Sequence, residues 1–278
     1  MNNSKDSSDH TGSDMREIIA KRRSVLKVLN DEPLWKPELD EQLDVSRSTI
    51  NRAVNELAEI GLIERIENGY TSTMAGELGL DLHTEYVEKT NTLARAAGLL
   101  EDIPEEIELE PDYLDECTVV LPERQAPEKV LESLAKRLQP KSTVMGFTPV
   151  VKVPYVSLLR DHVIDNDIAV EVIIEDTNRC QFPEFASVQS ALIDLASANQ
   201  FQLLETSVSL PYGLWIIEYE KAMSPIVALL GYSDRGVIAG GMVWEENSVY
   251  EWAEQRYEQV RESAVRASIS LTGSEEDL

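Results

Sequence analysis

Between Glu116 and Thr206 the chain alternates two kinds of segment. ECTVVL, STVMGF, IAVEVIIE and FQLLET are short, apolar and rich in β-branched residues, as strands are. PEKVLESLAKRL, VPYVSLLRDHVID and FASVQSALIDLASA lie between them, with apolar residues at helical spacing. Two parallel strands need a long crossover, and a helix of this length supplies one. The alternation therefore predicts a parallel sheet covered by helices. After residue 206 the pattern changes to strands alone: VSLPYGLWIIEY, PIVALLGY and GVIAGGMVW. These predict antiparallel hairpins added to the sheet. The last run feeds a helix expected from about Glu245 to Ile269, with Trp252, Val260 and Ala264 on its apolar side. Residues 113–270 thus read as a mixed α/β domain, its sheet mostly parallel and extended by antiparallel strands.

The region 14–76 has a different grammar. Ile18, Val25, Leu26 and Leu29 recur at helical spacing up to about Asn30. KPELDEQL reads as a short helix, with proline early in it, where proline is tolerated. After the turn LDVS, a third helix starts behind Ser46, a good N-cap, and stops at Gly61. LIERIE and GYTST then flank Asn68-Gly69, the strongest short-range hairpin signal. Three helices followed by a hairpin predict a winged helix-turn-helix. Residues 77–112 read as a connector, helical from Met74 to Leu100 with Leu78, Leu82, Tyr86, Leu93, Ala97 and Leu100 as its apolar positions, then an acidic, proline-marked linker. Residues 1–13 and 271–278 read as disordered tails.

On the third helix, Ile50, Val54, Leu57 and Ala58 are expected to face the core. Ser48, Asn51, Arg52 and Asn55 fall on another, polar face. Arginine pairs bidentately with guanine and asparagine with adenine. Ser46, Ser48, Thr49 and the helix start suit phosphate, and Arg47 suits either a base or a phosphate. Arg65 and the Asn68-Gly69 wing tip are expected to reach a flanking phosphate or the minor groove. Arg22 and Arg23, with Lys21 and Lys27, form a basic cluster placed to touch the backbone of double-stranded DNA. Glu56 and Glu59 would be repelled by phosphates, so only the first half of the helix is expected to enter the groove. A helix of this kind also occurs in modules that bind only proteins.

DNA is a polyanion, yet the chain has 51 acidic and 25 basic residues, a net charge of −26. Residues 1–80 hold 10 basic and 15 acidic residues, net −5, and the remainder holds 15 and 36, net −21. The acid is scattered, and only 10 of the basic residues are lysine. A uniform acidic coat fits life in molar salt, where self-repulsion is screened within about 3 Å. At 42% hydrophobic residues the chain is globular. Cys117 and Cys180 stand alone, outside any CxxC, which fits a reduced cytoplasmic protein. The first thirteen residues carry no apolar signal core, and no run of about 18–20 apolar residues suggests a membrane span.

SRSTINRAVNELAEIGLIERIENGYTSTMAGE is similar to winged helix-turn-helix transcription regulators of archaea. The succession VPYVSLLRDHVIDNDIAVEVIIE, SVSLPYGLWIIE and GVIAGGMVWEENSVYEWAEQRYEQVRESA resembles the effector, or middle, domain of two-domain archaeal regulators. Among these is the methanogenesis regulatory protein family, widespread in haloarchaea. The resemblance spans most of the chain, though no single motif in the second part is diagnostic. It implies a cytoplasmic, dimeric, DNA-binding regulator. The connector helix and the C-terminal helix are the expected dimer elements, unless they only cover the sheet.

No nucleophile elbow, phosphate-binding loop, GxGxxG after a strand or HExxH occurs. His10, His83 and His162 are scattered, and none starts an H-x-K pair of the phospholipase D kind. No catalytic, metal or cofactor site is expected. The adjacent carboxylates Glu175-Asp176 and Glu245-Glu246 read as solvated loop charges, although two carboxylates can serve as acid and base. A binding module fits better. Ligands of open α/β sheets sit beyond the C-terminal ends of the strands. There, Thr148 and Lys152, Asn178 and Arg179, and Tyr212 and Trp215 form a candidate effector set for a small anionic or polyhydroxylated molecule. Tyr212 and Trp215 serve equally as core residues. An α/β enzyme or a protein-interaction adaptor that docks through the winged helix remains the alternative to a regulator.

Overall fold

The computed structural model describes residues 11–267 apart from 124, 127–128, 152, 178–185, 221–222 and 234. Both expected tails lie outside this range but for residues 11–13. Two compact units meet between Thr90 and Asn91.

The first unit opens with α1 (Gly12–Asp31), α2 (Lys36–Leu43) and α3 (Arg47–Glu59). α1 begins inside the expected tail because Thr11 caps it. The Thr11 hydroxyl accepts the Asp14 N–H at 3.3 Å, and the Asp14 carboxylate accepts the Thr11 N–H at 2.9 Å. This T-x-x-D box closes two helix-end amides at once. α2 stops where Asp44 turns left-handed, with φ of 50°. Ser46 then caps α3, its hydroxyl 3.3 Å from the Thr49 N–H. Ile50, Ala53, Val54 and Leu57 are buried against Leu26, Leu29 and Leu39. Ala53, not Ala58, completes this stripe. Three- and four-residue steps keep position 53 inside, while Ala58 has turned out to solvent.

Gly61, at φ +75°, releases the chain into β1 (Ile63–Ile66) and β2 (Gly69–Ser72), an antiparallel pair. Ile66 pairs with Gly69, so the loop is Glu67-Asn68, one residue earlier than expected. Gly69 is already strand and buried. A Cβ there would lie 2.5 Å from the Leu34 carbonyl carbon and oxygen. The close approach exists because Leu34 and Tyr70 exchange backbone hydrogen bonds of 3.0 and 2.8 Å, tying the wing to the loop before α2. α4 (Met74–Leu100) follows; Gly76 and Leu80 are buried in its first turns. Met74, Leu78, Leu82 and Tyr86 are exposed.

The second unit is an eight-stranded mixed sheet. Its strands are β3 (Thr118–Val120), β4 (Thr143–Thr148), β5 (Ala169–Glu175), β6 (Phe201–Thr206), β7 (Gly213–Glu218), β8 (Ile226–Tyr232), β9 (Ile238–Trp244) and β10 (Val265–Arg266). Their order is β10-β6-β5-β4-β7-β8-β9-β3. Parallel pairing is confined to β4, β5 and β6, the strands joined by α6 (Val153–Asn166) and α7 (Ala186–Ser197). Every other pair is antiparallel, including β4 with β7 at the point where the crossovers end. The antiparallel extension is thus the larger part of the sheet.

Side chains alternate between two buried faces. Val144, Val170, Val172, Leu203 and Ile217 join Val130 and Leu134 of α5 (Lys129–Ala135) with Val156 and Val163 of α6. Phe147, Ile173, Leu214, Ile216 and Leu229 face the other way, onto Ala96 and Leu99 at the end of α4 and Ala253 and Tyr257 of α8 (Tyr250–Arg261). The C-terminal helix is half its expected length. It stops because the chain is needed at the sheet edge, where Val265 and Arg266 pair with β6 and Ser263 hydrogen-bonds Thr206 at 2.8 Å. An edge strand left bare exposes unpaired amides and carbonyls, and β10 covers them. Ala253 and Tyr257 centre the buried face of α8, with Trp252, Val260 and Ala264 half-buried beside it. No described helix is long and apolar enough to cross a membrane.

Candidate nucleic-acid interface

α3 presents an exposed polar face. Ser48, Asn51, Arg52 and Asn55 are all exposed, as are Ser46, Arg47 and Thr49 at its start. The Ser46 hydroxyl lies 2.9 Å from both the Ser48 and Thr49 hydroxyls, so these three form one cluster over the helix N-terminus. Their free lone pairs and protons, with the first amides of the helix, suit a phosphate oxygen. Arg47 is 85% exposed and its Nε lies 3.2 Å from Asp40. Among the described residues Arg52 makes no ion pair, so its guanidinium can turn to a base edge without breaking one. Asn55 lies 3.5 Å from the Lys36 ammonium. Lys36 also sits over the Tyr70 ring, 5.6 Å from its centroid. It therefore joins the polar face, and the sequence reading missed it. The available signal was a lysine directly before Pro37, at a helix start beside the predicted reader.

Two expected contacts are corrected by the packing. Arg22 is buried and forks onto Glu56, with Nε and Nη2 at 2.7 and 3.2 Å from its oxygens. It joins α1 to α3 and does not face outward. Glu56 is therefore paired, and the Lys21 ammonium lies 3.7 Å from it as well. Arg22's hydrogen bond is the main reason the Glu56 carboxyl is held below the usual range; burial opposes this, and the charges of Arg22, Lys21 and Arg52 add to it. Gly69, expected at the wing tip, is buried against Leu34 and leaves the tip to Glu67 and Asn68. Arg23 is half-buried, and its Nε has no hydrogen-bond partner among the described residues. Arg65 and Asn68 are exposed, and the Arg65 guanidinium stacks 5.6 Å from the Trp35 ring centroid. That contact pre-positions a cation on the wing. Glu59 is exposed.

The candidate effector set does not converge. Lys152, Asn178 and Arg179 lie outside the described residues. Thr148 and Trp215 line a cavity on the face of the sheet covered by α5 and α6. Tyr212 faces the opposite side, edge-on to Phe147 at 5.2 Å between centroids and 3.2 Å from Arg256 Nε. Residues 212 and 215 differ by an odd step along an extended chain, which sends them to opposite faces. Tyr212 and Trp215 therefore do not line one site.

Other chemistry-bearing groups have structural partners. Glu175 accepts the Leu210 N–H at 2.7 Å, and Glu245 pairs with Arg137 at 2.5 Å. His162 hydrogen-bonds Asn166 at 3.2 Å within α6. Cys117 is buried, and that burial pushes its thiol up to about 12. A thiol at that value is inert near neutral pH.

Residues 12–95 match the family described as the HVO_A0261 N-terminal domain. Residues 126–263 match that described as the methanogenesis regulatory protein FilR1, middle domain. No curated protein sequence matches the chain. Among solved structures, TrmBL2, an archaeal chromatin protein that shows a novel mode of DNA binding, overlays at a TM-score of 0.39 with 14% identity over 91% of this chain and 99% of its own. Nuc, a phospholipase D family member from Salmonella typhimurium, gives 0.39 with 10% identity over 54% and 97%. Polyphosphate kinase from Porphyromonas gingivalis gives 0.35 with 10% identity over 72% and 28%. Overlaps this loose carry no argument about what the chain does.

Proposed function

Because the chain belongs to the two-domain family that joins an HVO_A0261-type N-terminal domain to a FilR1-type middle domain, we propose that it is a sequence-specific DNA-binding transcription regulator. The observation that carries this reading is the exposed row Ser48, Asn51, Arg52 and Asn55 on a helix whose opposite side is buried. Such a row places two amides and one guanidinium where base edges are read, above a hydroxyl cluster for phosphate. The wing cation Arg65 and the α2 cation Lys36 flank it. The protein acts as a homodimer, which presents two recognition helices to half-sites about one DNA turn apart. Met74, Leu78, Leu82 and Tyr86, 58–77% exposed at four-residue spacing on α4, support a second copy packed there. α8, the other helix expected at the dimer contact, has its apolar side spent on the sheet.

In this reading the protein works in the cytoplasm of a salt-loving cell, and its second unit senses a small molecule. It is a binding protein and not an enzyme; the ties of Glu175 to Leu210 and of Glu245 to Arg137 support that. In molar salt, counterion release adds little to affinity. Base contacts, fit and dimerisation then carry the binding. The test is a footprint on genomic fragments in molar KCl. The wild-type chain should protect defined sites, and Arg52→Ala should lose roughly 1–3 kcal/mol and relax specificity at one position per half-site. Absence of any sequence preference, or normal function with Arg47 and Arg52 both replaced, would favour the protein-adaptor reading instead.

A further inference from the structure

The sheet face covered by α5 and α6 leaves a cavity of about 100 Å³. Val144, Val170, Val172 and Ile217 line it from the strands, and Leu134 and Leu159 from the helices. Trp215 adds a flat wall. Its ring lies so close over Gly146 that a Cβ there would sit 2.6 Å from it. Two hydroxyls interrupt this apolar lining. Thr148 and Tyr232, both buried, have their oxygens 3.0 Å apart. Thr148 Oγ1 donates to the Val150 carbonyl at 3.1 Å and accepts the Val150 N–H at 3.3 Å. Its one proton is used there, so Tyr232 is the donor to Thr148. The phenol oxygen then keeps acceptor capacity that no described residue fills. Burial pushes the Tyr232 phenol up to about 12, so it stays neutral. His162, also in the lining, hydrogen-bonds Asn166 through Nδ1.

Walls of this chemistry keep a cavity dry, and an engineered apolar cavity of ~150 Å³ takes up benzene. A charged or polyhydroxylated molecule would leave several polar groups unpaired against aliphatic side chains, at a large cost. We propose that this cavity binds a small uncharged apolar molecule, a single ring or short aliphatic chain, whose one hydroxyl or N–H donates to Tyr232. The proposal rests on the ligand-sensing reading above and replaces its anionic or polyhydroxylated ligand with an apolar one. The half-buried Leu131, Val151 and Leu159 in the lining give the cavity its way to solvent.

The experiment titrates benzene and phenol into the full chain in molar KCl, with calorimetry and the unfolding temperature as readouts. Both probes should bind saturably, one per chain. Tyr232→Phe should weaken phenol roughly threefold to tenfold and leave benzene unchanged. Val172→Leu adds a methylene to the void. It should raise the unfolding temperature of the empty protein and weaken both probes, whereas a filled core would lose stability. Absence of saturable binding, an equal loss of both probes in Tyr232→Phe, or destabilisation by Val172→Leu overturns the site. Operator occupancy with saturating phenol is measured separately. A shift supports sensing through this cavity. Binding without a shift keeps the site and rejects the sensing reading.

Discussion

In the proposed DNA complex, Arg47 faces a choice between Asp40 and a base or phosphate. Its side chain is 85% exposed, so the 3.2 Å contact is an exposed ion pair worth no more than about 1 kcal/mol. Asp40→Asn should free Arg47 and remove a carboxylate beside the recognition helix. DNA affinity should rise by up to about fivefold, less in molar salt than in dilute buffer, as a salt series of binding isotherms would show. Gly69 is the opposite kind of residue, fixed by space. Its φ of +133° and the Leu34 backbone 2.5 Å from a Cβ both exclude a side chain. Gly69→Ala should cost about 2 kcal/mol in chemical unfolding and loosen the wing, because overpacking and a left-handed backbone act together.

At the scale of elements, Arg22 and Glu56 clamp α1 to α3. A hydrogen bond to a charged partner contributes about 1.5–3 kcal/mol, and Arg22→Ala should lose an amount in that range. The Glu56 carboxyl is depressed in the folded state, chiefly by Arg22's hydrogen bond. Its stabilisation is therefore fully present above the ordinary glutamate value of about 4.3 and is lost as pH falls through the lower folded value. Thermal unfolding at constant salt from pH 6 to 3 should show a steeper acid-side loss for the wild type than for Glu56→Gln. The second unit has its own clamp, in which Tyr257 and Arg261 of α8 both hydrogen-bond Glu171 of β5. It fixes α8 across the parallel strands.

For the molecule as a whole, net charge and assembly bear on how the proposed reader would be used. The excess acid lies mostly beyond residue 80, away from α3 in the sequence. Pairing of two chains through α4 would link two half-sites. Leu82→Glu, at a position 67% exposed, should leave the fold intact, convert dimer to monomer in sedimentation, and weaken operator binding about 10²-fold by loss of linkage. An unchanged sedimentation coefficient would remove α4 from the dimer reading.

The sequence by itself determined most of the elements and their order. Helical spacing, Ser46 as cap, Gly61 as stop and the β–α alternation are local signals, and local signals report local structure. It also exposed the polar face of α3, because that face is one side of a single helix. Tertiary structure decided what depends on a partner distant in the chain. Arg22 looks like a surface cation until Glu56, 34 residues away, captures it. Gly69 looks like a turn tip until Leu34 bonds Tyr70 beside it. The C-terminal helix looks long until β6 needs an edge partner. Tyr212 and Trp215 look like members of one set until the pleat of the sheet separates them. The reason is common to all four. Burial and pairing are properties of what a residue meets, and the meeting is set by how helices and strands stack, not by the residues next to it in the chain.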